Sequence, residues 1–88
     1  MTNTNVTAVE VYPQAGADSS GYKLGYITSG AKAAQNDTWT VKNAVALKVI
    51  CASVDASGAA ENNTVSGNVI TLTSATATAC SALIKFKG

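Results

Sequence analysis

The feature that most constrains this chain is an alternation of apolar and polar residues with a period of two. Successive side chains of a β-strand point to opposite faces, whereas a helix repeats every 3.6 residues. The clearest case is residues 80–87, whose apolar side chains fall on one face: Cys80, Ala82, Ile84 and Phe86. Turn-forming residues interrupt the alternation about every 8–12 residues. The sequence therefore predicts short strands joined by turns, with no long helix.

Seven segments carry this pattern: residues 6–12, 22–26, 38–42, 45–54, 64–65, 69–73 and 80–87. Ser66-Gly67-Asn68 is a favourable hairpin turn, because Gly and Asn tolerate positive φ. Residues 29–37 are interpreted as a loop. Short strands at this spacing are typical of a β-sandwich or a small barrel. We expect an all-β, single-domain sandwich or barrel of about seven antiparallel strands over residues 6–88, preceded by a flexible arm at residues 1–5.

The charged residues exclude several functions. Only 12% of the 88 residues are charged, the net charge is +1, and there is no His. Without imidazole, the usual general base and a common metal ligand are missing. Nucleic-acid binding is not expected, because the cations are six dispersed lysines without any arginine: Lys23, Lys32, Lys42, Lys48, Lys85 and Lys87.

The chain also lacks the sequence marks of membrane insertion and secretion. Its longest apolar run, Ala44–Ala52, is far shorter than the roughly twenty residues of a membrane span and contains Lys48. The first five residues have neither a basic start nor an apolar stretch, so no signal peptide is expected.

The two cysteines are predicted to be structural. Cys80 lies on the apolar face of its strand, and Cys51 is assigned to the more apolar face of the longest segment, with Val45, Leu47 and Val49. Two readings stay open here: a pair of buried free thiols, or a disulfide closing a loop of about 30 residues and contributing roughly 3–4 kcal/mol. A metal site is not expected, since it would need further thiolate or imidazole ligands.

The remaining candidate residues have ordinary structural interpretations. Asp55 and Glu61, with Ser57 between them, superficially resemble a calcium loop, but the spacing of oxygen ligands is wrong and we expect a solvated loop. Asp18 and Asp37 are expected to bond the backbone of their own turns. Three aromatic residues could form a sugar-binding face: Trp39, Tyr22 and Tyr26. Trp39 is better explained as an anchor of the hydrophobic core. No catalytic residue or cofactor site is predicted.

The weakly charged surface favours an assembly function. Charged residues are depleted in the cores of protein interfaces, and few edge charges leave strands open to pairing. The polar N-terminal segment could anneal to a neighbouring subunit as an added strand. It is predicted to be a tether that comprises Thr2, Asn3, Thr4, Asn5, Val6 and Thr7.

The segments Gly58-Ala59-Ala60-Glu61 and Val65–Ala75, within residues 45–88, resemble small virion-associated proteins of tailed phages. That resemblance implies a compact β domain that decorates or cements a capsid, often as an oligomer, with an N-terminal arm touching the shell. We therefore expect a non-enzymatic virion decoration protein made in the host cytoplasm. Its expected partners are itself and a capsid protein, without nucleic acid or membrane.

Two other functions stay open at this point. One is an extracellular fibre or adhesin subunit with possible glycan binding, because Ala/Thr/Gly-rich β segments also occur in such proteins. The other is a small enzyme or ligand carrier, which would need a deep pocket with convergent polar groups.

Overall fold

The computed structural model describes residues 2–88, with only the backbone of Ser29. Eight strands and a short 3-10 turn at Pro13–Ala15 follow one another along the chain, without any α-helix in this range. The strands are β1 (Asn3–Val6), β2 (Val9–Glu10), β3 (Lys23–Gly30), β4 (Asp37–Val41), β5 (Ala46–Val54), β6 (Asn63–Ser66), β7 (Val69–Leu72) and β8 (Cys80–Lys87). Within the described residues, no helix is long and apolar enough to cross a membrane.

The strands form two four-stranded sheets with the orders β1-β4-β7-β6 and β2-β3-β8-β5. Neither sheet closes on itself, and the fold is all-β and sandwich-like. All neighbouring strands are antiparallel except β1 and β4, which are parallel. The prediction of an all-β fold is confirmed, whereas the predicted number of seven strands is wrong.

The eighth strand arises because the predicted strand at residues 6–12 is interrupted at Thr7 and Ala8. There the chain leaves the first sheet as β1 and enters the second as β2. The Asn43 side chain fixes this crossing through both backbone groups of Ala8, accepting from its N–H at 3.0 Å and donating to its carbonyl oxygen at 2.9 Å. An apolar–polar pattern contains no signal for such a change of sheet.

Residues 3–5 of the segment expected to be a flexible arm belong to strand β1 of a sheet, while Met1 lies outside the described residues. Residues 3–6 pair in parallel with residues 38–41 of β4. The backbone N–H of Thr2 donates to the carboxylate of Asp37 at 2.7 Å, which fixes the start of this pairing. The strand β1 occupies the edge of its sheet.

The core lies between the inward faces of the two sheets. Trp39 is fully buried, and its indole N–H donates to the carbonyl oxygen of Ala31 at 2.8 Å. Gly30 is required beneath this ring, because a Cβ placed there would lie 2.3 Å from the Trp39 side chain. The prediction that Trp39 is a core anchor is confirmed. Its largest fully buried companions are Ile70, Leu72, Ile84, Val41 and Cys80.

The predicted hairpin of β6 and β7 is present, but its turn is one residue shorter than Ser66-Gly67-Asn68 because Ser66 belongs to β6. Ser66 pairs with Val69, and the two-residue turn between them is Gly67-Asn68. Gly67 has a φ of 59°, a left-handed conformation that glycine adopts without steric cost.

A β-bulge in β5 changes which of its side chains are buried. Val49 pairs with Ile84 and Cys51 with Leu83, so Ile50 is an extra residue without a partner on β8. A one-residue insertion reverses the faces of all residues that follow. The bulge turns Cys51 outward, so the expectation that Cys51 points inward is wrong. Val45 is exposed as well, although it precedes β5 and the bulge does not act on it, and the core receives Leu47, Ala52 and Val54.

Candidate functional site

The solvent-facing side of the β2-β3-β8-β5 sheet, which we call the outer face, carries a row of apolar side chains across all four strands. Pairing places Val9 beside Tyr26, Tyr26 beside Leu83, and Leu83 beside Cys51. We call these four residues the apolar row. Leu83 is the fourth of eight residues in β8, so the row crosses the middle of the sheet.

The apolar row is open to solvent. Val9 is 49% exposed and Tyr26 is 40% exposed, and the bulge residue Ile50 adds a side chain that is 50% exposed. Single exposed apolar residues are common on protein surfaces, whereas these side chains form a contiguous group that is bordered by polar residues. The bulge contributes directly to this group, because it turns Cys51 to the same side as Ile50.

Lysines occupy one end of the outer face. Lys48 and Lys85 pair across β5 and β8, one row away from Leu83. The ammonium groups of Lys48 and Lys87 lie 5.2 Å and 5.1 Å from the centre of the Tyr22 ring. Lys85 also forms an ion pair of 3.5 Å with Asp18. This end of the sheet therefore has a positive surface with Tyr22 held among the amines.

Hydroxyl groups and one carboxylate occupy the other end. Ser53 and Ser81 pair one row from Leu83 on the side opposite the lysines. The Ser81 hydroxyl donates to the Asp55 carboxylate at 2.6 Å. A shallow, open depression of about 250 Å³ lies between this end and the apolar row, with Thr28 and Leu83 in its lining. The outer face is thus positive at one end and polar with a carboxylate at the other.

The solvent-facing side of the β1-β4-β7-β6 sheet has a different surface. Strand pairing gives it two rows of small side chains, almost all hydroxyls and amides: Asn3, Thr38, Thr71 and Thr64, then Asn5, Thr40, Val69 and Ser66. None of these eight positions is charged. Apolar and charged groups are therefore concentrated on the outer face of the opposite sheet.

One ion pair of the domain is buried. Lys32 and Glu61 form an ion pair of 2.9 Å, and both side chains are fully inaccessible to solvent. Lys32 also donates to the carbonyl oxygen of Ser74 at 2.7 Å, and the Ser74 N–H donates to Glu61 at 2.9 Å. Burial raises the pKa of Glu61, but the hydrogen bonds from Lys32 and Ser74 outweigh it and hold that pKa below its ordinary value.

The expectation that Glu61 belongs to a solvated loop is wrong, because its carboxylate joins three connections between strands. Lys32 lies between β3 and β4, Glu61 lies between β5 and β6, and Ser74 lies between β7 and β8. The three residues are therefore far apart in sequence. Asp55 remains exposed at the outer face. In the part of the chain that the structure describes, no group of three His, Cys, Asp or Glu residues could hold a metal ion.

The turn aspartates do what the sequence predicts, with one addition. Asp18 accepts the backbone N–H groups of Ser20 and Tyr22. Asp37 accepts those of Ala33 and Ala34 as well as that of Thr2 in the N-terminal segment. Backbone hydrogen bonds, from Tyr22 to Asp18 and from Thr2 to Asp37, are the largest cause that lowers the pKa of each carboxyl.

The two cysteines are both free and lie in different environments. Cys80 is fully buried, whereas Cys51 is exposed on the outer face. Burial, together with the nearby Glu61 carboxylate, raises the pKa of the Cys80 thiol to about 11. A thiol that stays protonated is a poor nucleophile. The sequence left open a disulfide or two buried free thiols. The disulfide is wrong, and a buried free thiol is found only at Cys80, since Cys51 is exposed.

The aromatic residues considered for sugar binding do not share a surface. Trp39 is in the core, Tyr26 belongs to the apolar row, and Tyr22 lies among the lysines. Comparison of the chain with protein-family models, with curated proteins and with solved structures gave no match.

Proposed function

We propose that this chain is a non-enzymatic structural protein that works by assembling with other proteins through the outer face. The observation that carries the proposal is the exposed apolar row that crosses all four strands of the β2-β3-β8-β5 sheet. Covering Val9, Tyr26 and the neighbouring Ile50 with a partner would remove apolar area from water, which favours association by roughly 25 cal/mol per Å².

The use of the buried polar groups supports a structural function. Lys32 and Glu61 neutralise each other inside the domain, and Asp37 holds the start of β1. The remaining buried nucleophile, Cys80, has a thiol that stays protonated near neutral pH. The depression on the outer face is shallow and open, unlike the concave sites that enclose small ligands.

More specifically, the protein would be a virion decoration protein that stabilises a capsid. Its two sheets would pack as a β-sandwich. The resemblance of Gly58–Glu61 and Val65–Ala75 to virion-associated proteins of tailed phages supports this form. The predicted tether, Thr2–Thr7, would bind the capsid as part of a folded sheet and not as a free arm, because residues 3–6 form strand β1. Because β1 is an edge strand, its outer side offers backbone groups to which a capsid strand could add.

Mass spectrometry of virus particles purified from the biological source of the sequence tests this proposal. A decoration protein is expected in the particles at a fixed ratio to the major capsid protein, and to remain bound through gradient purification. Its absence from purified particles would refute the virion role. Recovery with surface fibres of the source cells would instead support the alternative of an extracellular fibre or adhesin subunit.

A further inference from the structure

We infer that the outer face is a self-complementary interface at which two copies of this chain meet, with the two-fold axis running along the apolar row. This inference rests on the proposed assembly function and names the partner and the geometry. Two-fold dimers bring the same surface patch of both copies together, so the patch must complement itself after rotation. The distribution of charge on the outer face meets this requirement for one choice of axis.

Two in-plane axes are possible when one sheet face packs on its own copy. An axis parallel to the strands keeps the position along each strand, so the lysine ends of both copies would face each other. An axis across the strands reverses that position and brings the lysine end of one copy over the end that carries Asp55 in the other. Like charges in apposition cost free energy, and opposite charges favour association. Lys85 is already paired with Asp18, so the uncompensated charges at the lysine end are those of Lys48 and Lys87. These charges favour the axis across the strands.

The rows of the outer face match this axis. Ser81 lies one row from Leu83 on one side, and Lys85 lies one row away on the other. Rotation about the apolar row then places Lys85 of one copy over Ser81 of the second, whose hydroxyl already contacts Asp55. Lys48 comes over Ser53 of the second copy and within side-chain reach of Asp55. Each residue of the apolar row comes close to its own equivalent, so two Cys51 side chains approach one another.

The size of the face predicts a dimer of modest strength. Strands of two, eight, eight and nine residues, with about 3.3 Å per residue and about 4.8 Å between strands, give a footprint of about 430 Å² per copy. The total of about 860 Å² lies somewhat below the roughly 1,000 Å² expected of a stable, specific protein interface. Interfaces of this size belong to weak, transient complexes, so we expect monomer and dimer to be present together at accessible protein concentrations.

Sedimentation equilibrium of the full chain tests the interface with one variant and one matched control. Leu83→Lys places two ammonium groups at the centre of the interface and is expected to raise the dimer dissociation constant more than tenfold. Thr71→Lys adds the same charge to the middle of the opposite sheet, where Thr71 pairs with Thr38 and Thr64, and is expected to leave it unchanged. Trp39 fluorescence checks that both variants are folded.

A charge exchange tests the orientation of the axis. Lys48→Asp and Asp55→Lys are each expected to weaken the dimer at least threefold, and the combination is expected to restore most of the affinity. If the two effects simply add, the axis across the strands is wrong. A dimer that resists Leu83→Lys overturns this interface but leaves assembly through another surface. A monomer at all concentrations overturns the inference, while the virion role is still decided by the particle composition.

Discussion

Removing the carboxylate of Glu61 is expected to destabilise this domain more than most single substitutions. The Lys32 ammonium is fully buried and has two partners, Glu61 at 2.9 Å and the carbonyl oxygen of Ser74 at 2.7 Å. Glu61→Ala removes the carboxylate partner of Lys32 and leaves its buried ammonium group without a compensating negative charge. Breaking a buried ion pair in this way costs about 3–5 kcal/mol. The variant also frees the Ser74 N–H from its bond to Glu61.

That cost is large compared with the expected stability of the whole domain. Proteins gain about 0.05–0.15 kcal/mol per residue on folding, which for this length gives roughly 4–13 kcal/mol. Urea denaturation followed by Trp39 fluorescence measures the free energy of unfolding, because Trp39 is the single tryptophan and is fully buried. We expect the midpoint for Glu61→Ala to fall sharply, with a substantial unfolded population at low urea.

A double variant distinguishes two effects: removing the whole Lys32–Glu61 ion pair, and leaving Lys32 buried without its counter-charge. In Lys32→Met/Glu61→Leu both charges are replaced by apolar groups of similar volume, which in other buried pairs is neutral or stabilising by about 1–4 kcal/mol. The double variant should therefore be at least close to the wild type and far more stable than Glu61→Ala. If Glu61→Ala alone costs less than about 1 kcal/mol, the account of Lys32 as a fully buried cation is wrong.

The other predictions concern acid stability, the cysteines and the contact beneath Trp39. Because the pKa of folded Glu61 lies below its ordinary 4.5, its stabilisation is full above that value and is lost as pH falls through the folded pKa. In an acid titration, Lys32→Met/Glu61→Leu should not show the loss of unfolding free energy that protonation of Glu61 causes. It should still show the losses caused by protonation of Asp18 and Asp37. A maleimide should label Cys51 in the native protein and Cys80 only after unfolding; equal labelling rates would contradict the assigned burial. Gly30→Ala should lower the free energy of unfolding by about 1–3 kcal/mol and change the Trp39 emission; an unchanged midpoint would show that the ring has room.

Regular alternation was sufficient to predict the strands whose pattern is uninterrupted. In β8 the inward side chains Cys80, Ala82, Ile84 and Phe86 are all buried, and in β4 the same holds for Trp39 and Val41. The turn at Gly67-Asn68 was predictable too, because its geometry depends on the local chemistry of two residues. These features are local, so the sequence alone contains their cause.

The features that form the candidate site depend on contacts between distant segments. The bulge at Ile50 is defined only by the register of β5 on β8, and it decides that Cys51 points outward. The Lys32–Glu61 pair joins residues 29 positions apart, and nothing near either residue indicates a buried partner. The crossing at Ala8 likewise depends on Asn43, which lies 35 positions further along the chain.

If two copies meet at the outer face with the apolar row along the two-fold axis, their Cys51 side chains lie opposite each other. Cross-linking of Cys51 with a short bismaleimide tests it most directly, because packed sheets lie about 10 Å apart and Cys80 is inaccessible in the native protein. We expect a covalent dimer with one linker per pair of chains, absent in Cys51→Ser and strongly reduced in Leu83→Lys. If every Cys51 is modified singly and no covalent dimer forms, at concentrations where sedimentation shows dimers, the two Cys51 side chains do not face each other and this interface is wrong.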